Sequence, residues 1–306
     1  MGAPPTGTQT GADGTAPVPV PTRLLVHALV REDGTVDAGE LYTVAGLLGM
    51  TDQQVRLCIR RLVAEGGFTH QGRGRKAMLR AVVDMTGSAT PNVAYVRHAY
   101  RQDRGLAPWD GVWHLFAFAI PESRRASRDS LRDTLRHLGA APVHNGLYVS
   151  ANPIEELVQA HARRAGVAQA VAYLTSSDLR IGDCDDPPAL AAALWPLHDI
   201  AARYDLLADL ARSSLDRLAQ PHEPTAPEQL TTAVQLAAAF THAMEPDPLL
   251  PSALLPQPWP GARARQLSAA CWTELAKAAA HATTAPLPRL FTQYEELLAS
   301  LPSAEP

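Results

Sequence analysis

The order of apolar patterns between residues 107 and 186 constrains the fold of this chain more than any other sequence feature. A continuous apolar run over 112–120 is typical of a buried central strand. Asn145-Gly146, between two short apolar runs, is a strong signal for a two-residue hairpin. The predicted elements are a strand over 112–120, a helix over 123–138, a hairpin over 143–149, a helix over 153–165 and a strand over 168–174. This β-α-β-β-α-β order predicts a ferredoxin-like domain over 107–186.

The preceding block, residues 22–86, has the pattern of a winged helix-turn-helix. Thr51 and Gln54 have the capping-box spacing that begins a helix, and Gly66-Gly67 ends it. The predicted elements are helices over 23–30, 38–48 and 51–65 and strands over 68–69 and 78–83, joined by a basic, Gly-rich tip over 71–76. Three helices followed by a two-stranded hairpin are typical of this DNA-binding motif.

The other parts of the chain are predicted to be helical or disordered. Residues 87–106 are predicted to be a linker whose helix begins at Thr90-Pro91 and runs to about Arg101, because Pro is favoured in the first helical turn. Residues 187–306 form an Ala/Leu-rich helical domain with helices over 189–219, 227–243, 261–282 and 289–301. Residues 1–21 are predicted to be a disordered tail, without the pattern of a signal peptide. The predicted class is α+β: an N-terminal winged helix-turn-helix, a central ferredoxin-like domain and a C-terminal all-helical domain.

Charge and cysteine content narrow the class of protein. The formal charge of −4 excludes a global polycation, so any nucleic-acid surface has to be local. Cys58, Cys184 and Cys271 lie far apart and have neither a zinc spacing nor a disulfide framework, which suits a reducing cytoplasm. No apolar run reaches the roughly 18 residues of a membrane span. We expect a cytoplasmic protein with no membrane partner, no metal and no cofactor.

A local basic surface is predicted on the third helix and the hairpin that follows it. Residues 56–80 contain seven basic side chains and one acid, a net charge of +6. Gln53, Arg56 and Arg60 lie opposite the apolar stripe of this helix, where they can hydrogen-bond to adenine or guanine edges in a major groove. The predicted DNA-binding residues are Thr51, Gln53, Gln54, Arg56, Arg60, Arg61, Arg73, Arg75 and Lys76. The last three, on the Gly-rich tip, are expected to contact phosphates or a minor groove. The alternative is an ordinary solvated basic helix beside a hairpin.

A second candidate site lies at the start of the central domain. A ligand such as an acyl-coenzyme A needs guanidinium groups for its phosphates and an apolar pocket for its acyl group. The candidate effector-binding residues are Trp109, Trp113, Arg124, Arg125 and Arg128. The alternative is a solvated basic helix face beside two core tryptophans.

Enzyme function has no positive support in the sequence. No Ser-His-Asp order, phosphate loop or dinucleotide fingerprint occurs. A metal-dependent nuclease of the central-domain shape needs carboxylates to hold its cation, and only Glu122 stands near the end of the first strand. We therefore predict no catalytic and no metal-binding residues.

Six stretches of sequence carry a family resemblance. They are APWDGVWH at 107–114, RDSLR at 128–132, LG at 138–139, GLYVS at 146–150, DPLLP at 247–251 and LLPQPWPGARAR at 254–265. In this order the chain resembles the PaaX-type transcriptional repressors of phenylacetate degradation, and with the N-terminal block the resemblance covers nearly all of the ordered chain.

The resemblance implies a dimeric repressor with an N-terminal DNA-reading domain. It further implies a middle domain similar to the small CRISPR adaptation nuclease and a helical C-terminal domain that helps dimerisation. The founding members of the family release DNA on binding phenylacetyl-coenzyme A. We expect a homodimer on double-stranded operator DNA and a repressor relieved by an acyl-coenzyme A-like effector. A ligand-independent activator or co-regulator of the same fold is the main alternative, and a metal-dependent nuclease is the alternative from another class.

Overall fold

The computed structural model describes residues 18–82, 93–220, 224–282 and 287–300. Most of the predicted tail (1–17), the predicted start of the linker helix at Thr90-Pro91 and the end of the last predicted helix at residue 301 lie outside the described residues. The structure combines helices with two antiparallel sheets, which is compatible with the predicted α+β class.

Residues 22–82 form three helices and a small sheet. The elements are α1 (Thr22–Ala28), β1 (Thr35–Asp37), α2 (Ala38–Leu47), α3 (Asp52–Ala64), β2 (Phe68–Gln71) and β3 (Met78–Ala81). The strands pair antiparallel in the order β1-β3-β2. Strand β1 was not predicted, because three residues are too few for an apolar period to be visible. Its last residue, Asp37, also caps α2 by accepting from the Glu40 amide at 2.8 Å.

Helix α3 forms where its sequence predicts it. The Gln54 amide donates to the Thr51 hydroxyl at 3.3 Å, and the Thr51 amide donates to the Gln54 side chain at 2.8 Å, which completes the capping box. Val55, Ile59 and Leu62 form the buried stripe. The opposite face is therefore left to solvent.

The linker helix and the central sheet follow. The elements are α4 (Val93–Asp103), β4 (Trp113–Phe118), α5 (Arg125–His137), β5 (Ala141–His144), β6 (Leu147–Ser150), α6 (Glu155–Arg164) and β7 (Val171–Ser176). All strand pairs are antiparallel, in the order β5-β6-β4-β7. Two predicted boundaries are wrong: residues 122–124 and 168–170 form 3-10 turns, so α5 and β7 begin later than predicted.

The rest of the described chain is helical. The elements are α7 (Pro187–Leu194), α8 (Leu197–Leu218), α9 (Ala226–Met244), α10 (Pro260–Ala282) and α11 (Arg289–Ala299). The prediction of a single helix over 189–219 is wrong, because the helix is interrupted at Trp195-Pro196. A residue before proline is pushed out of the helical region, and Trp195 has φ −119° and ψ 145°. Within the described ranges, no helix has both the length and the apolar character needed to cross a membrane.

Two buried clusters hold these parts together. The larger one contains residues from Leu25 to Leu297, so the N-terminal helices share a core with the C-terminal helices. The smaller one, around Phe116 and Leu131, lies between the central sheet and helices α5 and α6. The side chain of Trp113 belongs to the larger cluster, so strand β4 contributes to both. The apolar side chains of residues 22–82 therefore pack against the C-terminal helices. The polar face of α3 remains exposed to solvent.

Candidate nucleic-acid interface

An open groove of about 880 Å³ runs between α3 and the β2–β3 hairpin. The predicted base-reading residues Gln53, Arg56 and Arg60 all line it. They are exposed, whereas Ile59 between them is buried. The helical period thus brings three long polar side chains to one face, as the spacing predicts. The other predicted residues on this helix, Thr51, Gln54 and Arg61, are exposed as well.

The connection between β2 and β3 folds back towards α2 and α3. Residues Gly74–Lys76 form a 3-10 turn within the predicted tip, and Arg73, Arg75 and Lys76 are exposed. Gly72 has φ +88°, and a Cβ atom there would lie 3.2 Å from the Cα of Ala77, so the turn needs glycine. The tip is therefore a compact loop rather than an extended one.

The guanidinium of Arg75 contacts a side chain on each of the two neighbouring helices. It lies 5.6 Å from the ring centroid of Tyr42, and its Nη2 is 3.8 Å from Oδ1 of Asp52. Both charged side chains of this pair are more than half exposed, so the attraction is weak and easily exchanged for another anion. The loop thus presents Arg75 beside the N-terminus of α3.

The positive charge of this surface is largely uncompensated. Glu65, the one acid between residues 56 and 80, is paired at 2.7 Å with Arg23 from α1. Among the described residues, the basic side chains without an ion pair on this surface are Arg56, Arg60, Arg61, Arg73, Lys76 and Arg80. A phosphate backbone next to this face would meet several cations, and the two acids at the ends of α3, Asp52 and Glu65, are already paired with Arg75 and Arg23.

Two residues of the groove were not predicted from the sequence. Tyr42 on α2 and His70 on β2 line it together with the predicted arginines. Tyr42 was part of an apolar helix pattern, and it is largely buried, so burial raises the pKa of its hydroxyl. His70 follows Phe68 in a short strand whose other residues are exposed. Periodicity alone does not separate such residues from ordinary core or surface positions.

The predicted effector residues are not assembled into one site. Trp113 is buried, lies edge to face with Trp109 at 5.2 Å and stacks on Trp195 at 6.3 Å between ring centroids. The arginines at 124, 125 and 128 come after the last residue of β4, whereas Trp113 is its first. At about 3.4 Å per residue, the five steps from Trp113 to Phe118 separate the two ends of this strand by roughly 17 Å. The tryptophans act here as core residues.

The three arginines already have partners. Arg124 donates to the carbonyl oxygen of Gly166 at 2.7 Å. Arg128 donates to Glu122 at 2.7 Å, and the guanidinium of Arg125 lies 3.4 Å from Asp129 and 3.8 Å from Glu122. An anionic ligand would have to displace these carboxylates.

The same contacts bear on the nuclease alternative. The Glu122 carboxylate faces Arg128 and Arg125 rather than other carboxylates. Across the ranges that the structure describes, no group of three or more His, Cys, Asp or Glu side chains is arranged to hold a metal ion. Glu122 is thus engaged in arginine pairs at the start of α5.

Comparison with known proteins identifies the family of the central and C-terminal parts of the chain. Residues 106–188 match the family described as PaaX protein central Cas2-like domain, and residues 195–285 match the PaaX-like protein C-terminal domain. These two domains are those of a PaaX-like transcriptional regulator. The chain belongs to the PaaX-type family, which confirms the resemblance seen in its sequence. This family is regulatory.

Other comparisons add little to this assignment. No curated protein matches the chain. Among solved structures, the uncharacterized protein Rv0674 from Mycobacterium tuberculosis is similar at 22% identity and a TM-score of 0.42, over 79% of this chain and 89% of the other.

Proposed function

We propose that this protein is a sequence-specific DNA-binding transcriptional regulator that reads DNA with a winged helix-turn-helix formed by residues 22–86. One observation carries the proposal: Gln53, Arg56 and Arg60 project from one face of α3 into an open groove beside the basic loop at 73–76. α3 is short, exposed on this face and held from behind by its buried stripe, as a helix that enters a major groove has to be.

The groove and the loop have different chemical tasks in this proposal. Arg56 and Arg60 can each donate two hydrogen bonds to a guanine edge, and Gln53 can pair with adenine. Arg73, Arg75 and Lys76 present charge without a shaped pocket, which suits contacts with the phosphate backbone. Asp52 holds Arg75 only weakly, so a phosphate can take its place.

The regulator acts as a homodimer in this proposal, through its helical C-terminal half. Residues 187–306 contain seven basic and twelve acidic residues, so this half does not bind DNA through its charge and is available for protein contacts. Two-fold operators favour two-fold proteins. A strictly monomeric mass at micromolar concentration, with and without DNA, contradicts this part of the proposal.

Repression relieved by a small molecule is the version of the proposal that the family resemblance supports. An acyl-coenzyme A-like effector at Arg124, Arg125 and Arg128 has to compete with Glu122 and Asp129 for the guanidinium groups. A ligand-independent activator or co-regulator of the same fold needs no such exchange. The two versions differ in whether DNA affinity depends on a ligand.

Selection of bound duplexes from a random pool tests the DNA-reading proposal. The wild-type chain is expected to enrich one motif, and Arg56→Ala/Arg60→Ala is expected to lose it. Arg212→Ala/Arg217→Ala removes the same charge from the C-terminal half and is the matched control. Enrichment of the same motif by both double variants would contradict the proposal.

A further inference from the structure

A second cavity, of about 570 Å³, opens where the linker helix α4 meets the central unit and the end of α9. Tyr95 and His98 of α4 form one wall, Asn152 and Leu157 at the start of α6 form another, and Met244 of α9 forms a third. The cavity is separate from the groove beside α3, and neither the arginines of α5 nor Trp109 and Trp113 line it. Its volume falls within the range of small-molecule sites, about 300–1,000 Å³.

The walls of this cavity are mainly apolar. Leu138, Ile154, Met244 and Leu249 line it with aliphatic side chains. Leu157 also lines it and is 57% exposed, although it sits on a helix whose other large apolar side chain, Val158, is fully buried. An exposed leucine beside an apolar hollow gains free energy when a ligand covers both.

Two polar side chains in the wall, Asn152 and His98, are held by hydrogen bonds. The Asn152 amide nitrogen donates to the carbonyl oxygens of Pro248 and Leu249 at 3.1 and 2.9 Å. Its oxygen therefore faces Nε2 of His98 at 3.4 Å and has to accept from it. Nε2 then carries the proton, and Nδ1 keeps a lone pair. Burial lowers the pKa of His98, which favours the neutral form of the ring.

The charged groups in the lining restrict the charge of the ligand that can bind. In the described part of the chain, the ionisable side chains that line this cavity are Tyr95, His98, His137 and Glu245, and none is Lys or Arg. A phosphate or carboxylate entering here would lose its water without gaining a Lys or Arg partner, and it would be repelled by Glu245. We propose that this cavity binds an uncharged, mainly apolar small molecule with a hydrogen-bond donor.

Two fluorescent probes with the same aromatic frame test the site. N-phenyl-1-naphthylamine is uncharged, apolar and carries one N–H donor, whereas 8-anilinonaphthalene-1-sulfonate adds a sulfonate to the same frame. The full chain without DNA is expected to bind the uncharged probe saturably at one site per chain. The affinity for the sulfonate is expected to be lower by a factor of about ten or more. An equal or higher affinity for the sulfonate would overturn the proposed ligand class.

A pair of exposed leucines provides the variant and its control. Leu157→Glu places a carboxylate at the cavity and is expected to weaken binding of the uncharged probe about ten-fold. Leu106→Glu makes the same change at a leucine that is 51% exposed and does not line the cavity, and it is expected to leave binding unchanged. Non-saturable binding, or equal binding by Leu157→Glu and the wild type, would overturn the site. Because DNA is absent, the outcome is independent of the proposed DNA-reading surface.

Discussion

Arg265 of α10 forms a bidentate ion pair with Asp103 at the end of α4, 162 residues earlier, with N–O distances of 2.6 and 2.8 Å. The arginine is 4% exposed, and its third nitrogen donates to the Tyr204 hydroxyl at 2.7 Å. Asp247, whose carboxyl pKa is raised by burial, lies 3.7 Å from the same guanidinium. This cluster fastens the linker helix to the C-terminal helices.

Removal of the Arg265 side chain is expected to destabilise the protein strongly. Arg265→Ala leaves Asp103 and Asp247 without their cation, and the loss of one partner of a buried ion pair costs about 3–5 kcal/mol. The free energy of unfolding from urea denaturation measures this loss. Arg212→Ala, which breaks an exposed pair with Asp209, is the control and should cost about 1 kcal/mol or less. Equal midpoints for the two variants would refute the structural role of Arg265.

Replacement of the glycine of the β5–β6 hairpin by alanine is expected to destabilise the protein more than the same change at an unobstructed glycine. Gly146 has φ +79°, and a Cβ atom there would lie 2.5 Å from the Phe118 carbonyl oxygen. Gly166 has φ +69° but open space around it, so Gly166→Ala should cost only the backbone term of about 1–2 kcal/mol. Gly146→Ala should cost at least about 1 kcal/mol more in the same denaturation experiment, because the backbone has to move. Similar losses of unfolding free energy in both variants would mean that the hairpin backbone moves to accept the Cβ atom at little cost.

Stability is expected to fall in mild acid partly because of His27. Its ring lies 5.4 Å from Phe68, and neither ring nitrogen has a hydrogen-bond partner among the described residues. Burial, with a smaller contribution from Arg23, lowers the pKa of His27 in the folded state. As the pH falls below about 6.5, the unfolded chain binds a proton that the folded chain does not, so the free energy of unfolding decreases until the folded-state pKa is passed.

The variant His27→Phe isolates this contribution. It keeps an aromatic ring beside Phe68 and removes the titrating group, so its free energy of unfolding should depend less on pH between about pH 8 and pH 5. Part of the dependence should remain, because burial also lowers the pKa values of His98 and His242. Identical pH dependence in both proteins would show that His27 accepts its proton without unfolding.

The effector version of the proposed function predicts a separable variant. Arg124→Ala/Arg125→Ala/Arg128→Ala should keep its affinity for DNA and lose release by an acyl-coenzyme A that releases the wild type. The triple variant Arg136→Ala/Arg163→Ala/Arg164→Ala removes the same charge from other exposed positions of α5 and α6 and should still be released. DNA-binding titrations with and without the ligand measure this. Full release of the first variant would exclude these arginines as the effector site.

Sequence patterns correctly predicted the turns and helix ends that depend on interactions between residues close together in the chain. The capping box at Thr51 and the turn at Asn145-Gly146 are examples, because their hydrogen bonds and dihedral angles are set within a few residues. The break before Pro196 was missed although proline is visible, because the apolar spacing continues across it. The ion pair between Asp103 and Arg265 joins positions far apart in the sequence, so it could be found only from the tertiary structure. The same holds for the candidate site: the α3 arginines were predictable from helical spacing, whereas Tyr42 was not.

The central claim is that α3 reads bases while the following loop contacts the DNA backbone, and one measurement separates these roles. Arg60→Ala and Arg75→Ala are titrated against the selected duplex and a scrambled duplex over a series of salt concentrations. Arg60→Ala should lose about 1–3 kcal/mol on the selected duplex and narrow the difference between the two duplexes. Arg75→Ala should weaken binding to both equally and reduce the salt dependence by about one unit. Wild-type binding of the selected duplex by both variants would contradict the account.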